Sequence, residues 1–121
     1  MLKKKILVVD DERDFLNLIR IRLESSKYEV ITACDGVDAL LKFDECPPDA
    51  VMLDILMPNM DGLEVLKKIR AKDKNIPIFI ITAFSNEERL KLAKELNVNG
   101  FMDKTADLKT EIEHVAEALG K

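Results

Sequence analysis

Along the chain, short unbroken apolar runs alternate with longer stretches in which apolar residues recur every three or four positions. The runs are Ile6-Leu7-Val8-Val9, Tyr28 to Thr32, Ala50-Val51-Met52-Leu53, Ile78-Phe79-Ile80-Ile81 and Gly100-Phe101-Met102. The first, third and fourth lack alternation and are rich in branched side chains, the pattern of a strand covered on both faces. Pro77 opens the fourth, where a missing N–H is tolerated. Between the runs the spacing is helical. Phe15, Leu16, Leu18, Ile19 and Leu23 fall within a ~160° arc, and Leu108, Ile112, Val115, Ala116 and Leu119 within a ~100° arc, at about 100° per residue. The middle helices are predicted over 36–45, 62–72 and 86–96. Ser85 followed by Glu88 has the spacing of a capping box. Gly62, just before a helical run, suits a shaped turn.

Five βα units follow one another with short connections and no linker, repeat or low-complexity segment. Strict alternation predicts a parallel sheet with helices on both faces. Right-handed crossovers leave few topologies. The predicted fold is α/β, a doubly wound (βα)5 flavodoxin-like sandwich whose five-stranded parallel sheet runs in the order 2-1-3-4-5. Such sheets bind ligands at the carboxyl ends of their strands, near the switch in strand order. The residues that end the strands are therefore where chemistry is expected.

Length and charge narrow the classes. The 121 residues, 1–121, read as one domain, long enough for a core without disulfide or metal staples. A net charge of −4 offers no basic excess for phosphate counterion release, so nucleic acid is not expected as a direct partner. No apolar run approaches the ~20 residues of a membrane span. Lys3-Lys4-Lys5 is followed by no secretory h-region of ~7–15 apolar residues. Cys34 and Cys46 form no CxxC pair and have no histidine nearby; both read as small apolar fillers in a reducing, cytoplasmic protein. The single histidine, His114, lies opposite the apolar arc of the last helix and reads as a solvated surface residue.

The strand ends carry a distinctive set. Strand one ends in Asp10-Asp11 before Glu12, strand three in Asp54, strand four in Thr82-Ala83, and strand five near Lys104. Three carboxylates in one pocket repel one another, and without a cation at least one has its pKa raised. Oxygen ligands of this kind suit Mg²⁺, which binds one or two carboxylates together with phosphate oxygens and water. Either Asp10 or Asp11 could instead cap the helix that follows. Capping explains neither the lysine nor the number of acids. A first loop of Asp-Asp-Glu would repel a bare phosphate, and neither GxxxxGK[ST] nor GxGxxG occurs, so a dinucleotide or flavin site of the usual style is not expected.

These residues resemble the receiver domains of two-component response regulators. The resemblance runs through Ile6-Leu7-Val8-Val9-Asp10-Asp11-Glu12, Asp54-Ile55-Leu56-Met57-Pro58-Asn59-Met60-Asp61-Gly62, Ile80-Ile81-Thr82-Ala83 and Gly100-Phe101-Met102-Asp103-Lys104. It implies that Asp54 is the phosphoacceptor. It implies that Asp11, Asp54 and the backbone carbonyl of Leu56 bind Mg²⁺ directly, with Asp10 helping through water. Lys104 would pair with the phosphoryl oxygens, Thr82 would be the switch hydroxyl, and Phe101 the switch aromatic. The donor would be a phosphohistidine on a sensor histidine kinase or a histidine phosphotransfer protein. The output face would be the fourth helix, fifth strand and fifth helix, controlling a downstream protein that the residues do not name. They also leave open a phosphorylation-dependent homodimer.

The resemblance further implies a signalling switch that catalyses only its own phosphorylation and dephosphorylation, not an enzyme acting on others. Many receivers have Lys-Pro where this chain has Lys104-Thr105, often with a cis bond, which costs about 2.5–4 kcal/mol without proline. The positions two after the phosphoacceptor and two after the switch hydroxyl influence hydrolysis in this family. Here they are Leu56 and Phe84, both apolar, so a long-lived phospho form is expected. Ile21, outside the apolar arc of the first helix, is a weak candidate for kinase docking. The residues after Lys104 suffice for one helix, so no output domain is expected in the chain, which reads as a stand-alone or excised receiver. Two rivals remain. An Asp-nucleophile phosphatase would need a second Asp where Leu56 stands, and a phosphorylation-independent interaction module would usually lack part of the acidic set.

Overall fold

A computed structural model describes residues 3–55, 61–82, 87–104 and 107–120. The elements alternate: β1 (Lys5–Val9), α1 (Arg13–Ser25), β2 (Glu29–Ala33), α2 (Gly36–Glu45), β3 (Ala50–Asp54), α3 (Gly62–Lys72), β4 (Ile78–Thr82), α4 (Glu87–Glu95), β5 (Gly100–Asp103) and α5 (Leu108–Ala118). All pairings are parallel and the sheet order is β2-β1-β3-β4-β5, as the alternation predicts. Among the described residues no helix is long and apolar enough to cross a membrane.

The period of two along each strand divides the core. Leu7, Val9, Val51, Leu53, Ile78 and Ile80 face one way, against Phe43 of α2, Leu66 and Ile69 of α3 and Ala93 of α4. Ile6, Val8, Met52, Phe79 and Ile81 face the other way, against Leu16, Ile19 and Leu23 of α1 and Ile112 and Val115 of α5. β3 and β4 are buried along their whole length, which is why their sequences show no polar alternation. β2, at the sheet edge, keeps exposed Glu29 and half-buried Thr32.

The predicted spans of α2 and α3 agree with the structure, and both helices start on an aspartate cap. Asp35 accepts from the Asp38 N–H at 2.8 Å and Asp61 from the Leu63 N–H at 2.9 Å. Neither Asp10 nor Asp11 caps α1, whose N-cap is Glu12 with no side-chain bond. The Ser85 capping box lies outside the described residues. Two other expectations need correction. Leu18 is 45% exposed, so the buried stripe of α1 is the narrower set Leu16, Ile19 and Leu23. Cys46 is exposed at the C-cap of α2 and fills no core, whereas Cys34 is half-buried and packs against one. His114 is exposed, as its place on α5 predicts.

Arg70 is a feature the apolar pattern does not show. It lies almost buried in α3 and donates to four backbone carbonyls: Leu96 (2.7 Å), Ile76 (2.8 Å), Asn97 (2.8 Å) and Asp73 (3.2 Å). One planar guanidinium thus joins the end of α3, the entry to β4 and the end of α4. Burial pulls its pKa down, partly offset by the charge of Asp73.

Candidate functional site

The sheet carries its acids to one edge. Asp10 directly follows β1, and its N–H donates to the Ala33 carbonyl at 3.1 Å, which extends the β1–β2 pairing by one step. Asp54 is the last residue of β3 and Thr82 the last of β4. Lys104 follows β5, its N–H donating to the Thr82 carbonyl at 3.1 Å. β1 lies between β2 and β3, so the strand order reverses beside Asp10 and Asp54.

Asp10, Asp11 and Asp54 each offer a carboxylate oxygen within 4.8 Å of the others. Asp10 and Asp54 are buried, and Asp11 is exposed at the mouth. Lys104 Nζ lies 2.7 Å from Asp10 Oδ2, 3.0 Å from Asp54 Oδ2 and 2.5 Å from Glu12 Oε1. The Lys104 side chain is only 8% exposed, and its ammonium stands 5.2 Å from the centre of the Phe15 ring.

One ammonium among this many acids leaves the pocket electron-rich. Burial pushes the Asp10 pKa up to about 6, and the charge of Asp54 adds to the rise. The Lys104 ammonium and the Glu12 N–H, which donates at 2.9 Å, work against it. Burial alone would lower the Lys104 pKa. Hydrogen bonds to Asp10, Glu12 and Asp54 outweigh it and hold the amine firmly protonated. Asp10 Oδ2 is sealed from solvent and, beyond this ion pair, has no well-formed hydrogen bond among the described residues. Hard oxygens at cation spacing, one of them under-satisfied, fit a Mg²⁺ ion.

Of the residues named from sequence, the structure brings Asp10, Asp11, Asp54 and Lys104 together and sets Thr82 at the adjacent strand end. Phe101 lies one strand over, paired in register with Ile80, half-buried against the α2/α3/α4 side of the core. Lys94 Nζ sits 5.8 Å from its ring centre. The Leu56 carbonyl, Phe84 and the Lys104–Thr105 bond lie outside the described residues. The sequence reading missed Glu12 and Phe15 as neighbours of the lysine. It also missed Arg89 of α4, which donates to the Ile55 carbonyl at 3.2 Å and pairs with Asp61. Glu12 was legible in principle, since an acid two residues past Asp10 stays at the same strand mouth.

A family model of the response regulator receiver domain matches residues 6–116. The chain belongs to that family. This receiver domain is 43% identical over 103 residues to the alkaline phosphatase synthesis transcriptional regulatory protein PhoP of Bacillus subtilis (strain 168), a match covering 85% of the chain and 43% of PhoP. It is 41% identical over 118 residues to the chemotaxis protein CheY of Treponema pallidum (strain Nichols), covering 95% of the chain and 82% of CheY. The receiver domain thus spans less than half the length of PhoP. Among solved structures, the response regulator protein TrrA of Thermotoga maritima, in complex with Mg(2+)-BeF, superposes with a TM-score of 0.86 at 37% identity, covering 95% of this chain and 98% of that one. The chemotaxis protein CheY4 of Vibrio cholerae gives 0.90 at 28% identity, covering 97% of this chain and 99% of that one.

Proposed function

We propose that this receiver domain is the phosphoacceptor of a two-component phosphorelay. It takes a phosphoryl group onto Asp54 from the phosphohistidine of a sensor histidine kinase or histidine phosphotransfer protein. The observation that carries the reading is Lys104, a buried ammonium within 3.0 Å of both Asp10 and Asp54, at a mouth that also brings Asp11 within reach.

In the transfer, an Asp54 oxygen forms a bond to phosphorus as the donor P–N bond breaks, and the imidazole leaves with that electron pair. Lys104 meets the charge on the transferred oxygens by moving from the Asp54 carboxylate to them. Asp10, Asp11 and Asp54 would hold Mg²⁺, joined on the family resemblance by the Leu56 carbonyl. When bound, the ion supplies further positive charge to the phosphoryl oxygens. The Mg(2+)-BeF complex of TrrA supports this cofactor.

The product adds about −1.5 to −2 charge at Asp54. Thr82 at the neighbouring strand end donates its hydroxyl to one of the new oxygens, and Phe101 turns toward the space it vacates. The α4-β5-α5 face is altered and read by a downstream protein, or by a second copy of the chain. The domain is a switch that turns over only its own phosphate, and its place is the cytoplasm, where such donors work.

Incubation with acetyl phosphate and Mg²⁺ tests the reading. The expected result is a mass gain of one phosphate that Asp54→Asn abolishes. No gain with acetyl phosphate or with a competent kinase would favour the phosphorylation-independent module. Steady turnover of small phosphate esters would favour the phosphatase.

A further inference from the structure

The chain leaves β3 at Asp54 and enters α3 at Gly62, and the two ends of this connection are drawn close together. The Ile55 carbonyl accepts from the Gly62 N–H at 3.3 Å. A Cβ on Gly62 would overlap the Ile55 Cα and the Asp54 carbonyl oxygen, so the first turn of α3 rests directly on the acceptor's own backbone. From the first turn of α4, Arg89 reaches both ends at once. Its Nη2 donates to the Ile55 carbonyl at 3.2 Å and pairs with Asp61 Oδ1, the same oxygen that caps α3 through the Leu63 N–H at 2.9 Å.

We propose that Arg89 is a positioning residue for the chemistry at Asp54, tying together both ends of the segment that follows the acceptor. The proposal rests on Asp54 being the phosphoacceptor. In-line transfer demands placement to a fraction of an ångström, and small misplacements of reacting groups are costly in rate. The residue bonded by Arg89 is the one immediately after Asp54, so slack there passes straight to the acceptor's backbone. Arginine suits the task because the two N–H bonds of its Nη2 diverge in the fixed plane of the guanidinium, one toward the carbonyl and one toward the carboxylate, whereas a lysine ammonium turns freely on its stem. The carboxylate of Asp61 is held below its usual pKa despite burial, mainly by Arg89, so the pair stays ionised.

The test compares the rate of acetyl phosphate labelling at saturating Mg²⁺ in the parent, Arg89→Met, Arg89→Lys and Asp61→Asn, with melting temperatures measured alongside. Arg89 is partly exposed, so its variants should fold. Asp61→Asn keeps the capping oxygen and loses the charge. Arg89→Met is expected to slow labelling roughly three- to thirtyfold, the range by which a coupling residue outside the site acts. Arg89→Lys should recover part of the rate. The double variant of Arg89→Met with Asp61→Asn should be no slower than the slower single one, because the two remove one connection. Parental labelling by Arg89→Met overturns the inference, as does a rate that falls only with the folded fraction, or independent multiplying effects of the two substitutions. Labelling of neither the parent nor any variant, by acetyl phosphate or by a competent kinase, overturns the assignment of Asp54, and the inference with it.

Discussion

Lys104 Nζ stands 2.7 Å from Asp10 Oδ2, an oxygen sealed from solvent, although the two residues are far apart in the chain. The lysine therefore occupies, with its own charge, the region a divalent cation would share. Lys104→Met removes that competitor. It is expected to tighten Mg²⁺ binding about tenfold, the equivalent of about 1.4 kcal/mol, while sharply slowing phosphorylation of Asp54. Calorimetric titration with Mg²⁺ checks the first effect and acetyl phosphate labelling the second. Equal Mg²⁺ affinity in parent and variant would mean that the ammonium does not compete for the acids.

The same pair sets a pH dependence. Asp10 is raised from 3.8 to about 6 in the folded chain, chiefly by burial. Between those values the folded state binds more protons at this site than the unfolded state, so stability falls as pH rises. The site's contribution is unperturbed below about pH 4 and fully lost above about pH 6, a loss of up to about 3 kcal/mol. Urea melts in EDTA should show this slope in the parent and not in Asp10→Asn. Mg²⁺ favours the ionised acid, so its stabilising effect should be larger at pH 7 than at pH 5. A slope of opposite sign in the parent would contradict the account.

Arg70 predicts a stability effect away from the site. Arg70→Met leaves four carbonyls without their guanidinium donor, two of them from the end of α4. The loss is expected at about 3 kcal/mol or more, since hydrogen bonds from a charged group contribute about 1.5–3 kcal/mol each and the orphaned carbonyls are costly where buried. Arg70→Lys should recover little, because one ammonium cannot reach the same set. Equilibrium urea unfolding reads both. A change under 1 kcal/mol in Arg70→Met would show that water replaces the lost donors.

The contrast between Arg70 and the strands shows what can be read in one dimension. A strand buried on both faces must be apolar at every position, so Val51-Met52-Leu53 and Ile78-Phe79-Ile80-Ile81 declare themselves locally. The strand order then follows from crossover handedness and the alternation of elements. Asp10, Asp11, Asp54 and Lys104 were legible because each stands at a strand end, and parallel strands bring such ends together. Arg70 and Arg89 were not. An arginine on a helix reads as solvated charge, and their partners in Leu96, Asn97, Ile55 and Asp61 come from other elements. Leu18 was misplaced for a related reason: an arc of ~160° is wider than the face α1 presents to the sheet.

Lys27 marks a site where the chain can be improved. It ends the turn after α1 with φ of 73°, a left-handed conformation that costs an L side chain about 1–2 kcal/mol. Its N–H donates to the Glu24 carbonyl at 3.0 Å and the Tyr28 N–H to the Leu23 carbonyl at 3.1 Å, so the conformation closes the helix end. Lys27→Gly relieves the strain but gives the unfolded chain more freedom, leaving a net gain of about 0.5–1 kcal/mol. A thermal melt should rise by a few degrees. A fall would mean that the lysine stem contributes more than the strain costs.

The last prediction concerns phosphoryl lifetime. Hydrolysis forms a bond from water oxygen to phosphorus and breaks the Asp54–phosphorus bond, regenerating the carboxylate and releasing phosphate. The attacking water must be oriented, and a side chain that accepts or donates a hydrogen bond does this better than an alkyl group. Leu56 and Phe84, both outside the described residues, can do neither at the two positions that the family resemblance ties to this step. The phospho form should therefore persist for minutes or longer, and Leu56→Asn should shorten its lifetime severalfold. Rapid desalting of the acetyl phosphate-labelled protein into Mg²⁺ buffer free of acetyl phosphate, followed by intact mass with time, measures both. A parent that loses its phosphate within seconds, with Leu56→Asn no faster, would show that water is oriented by backbone groups rather than by the side chain at this position.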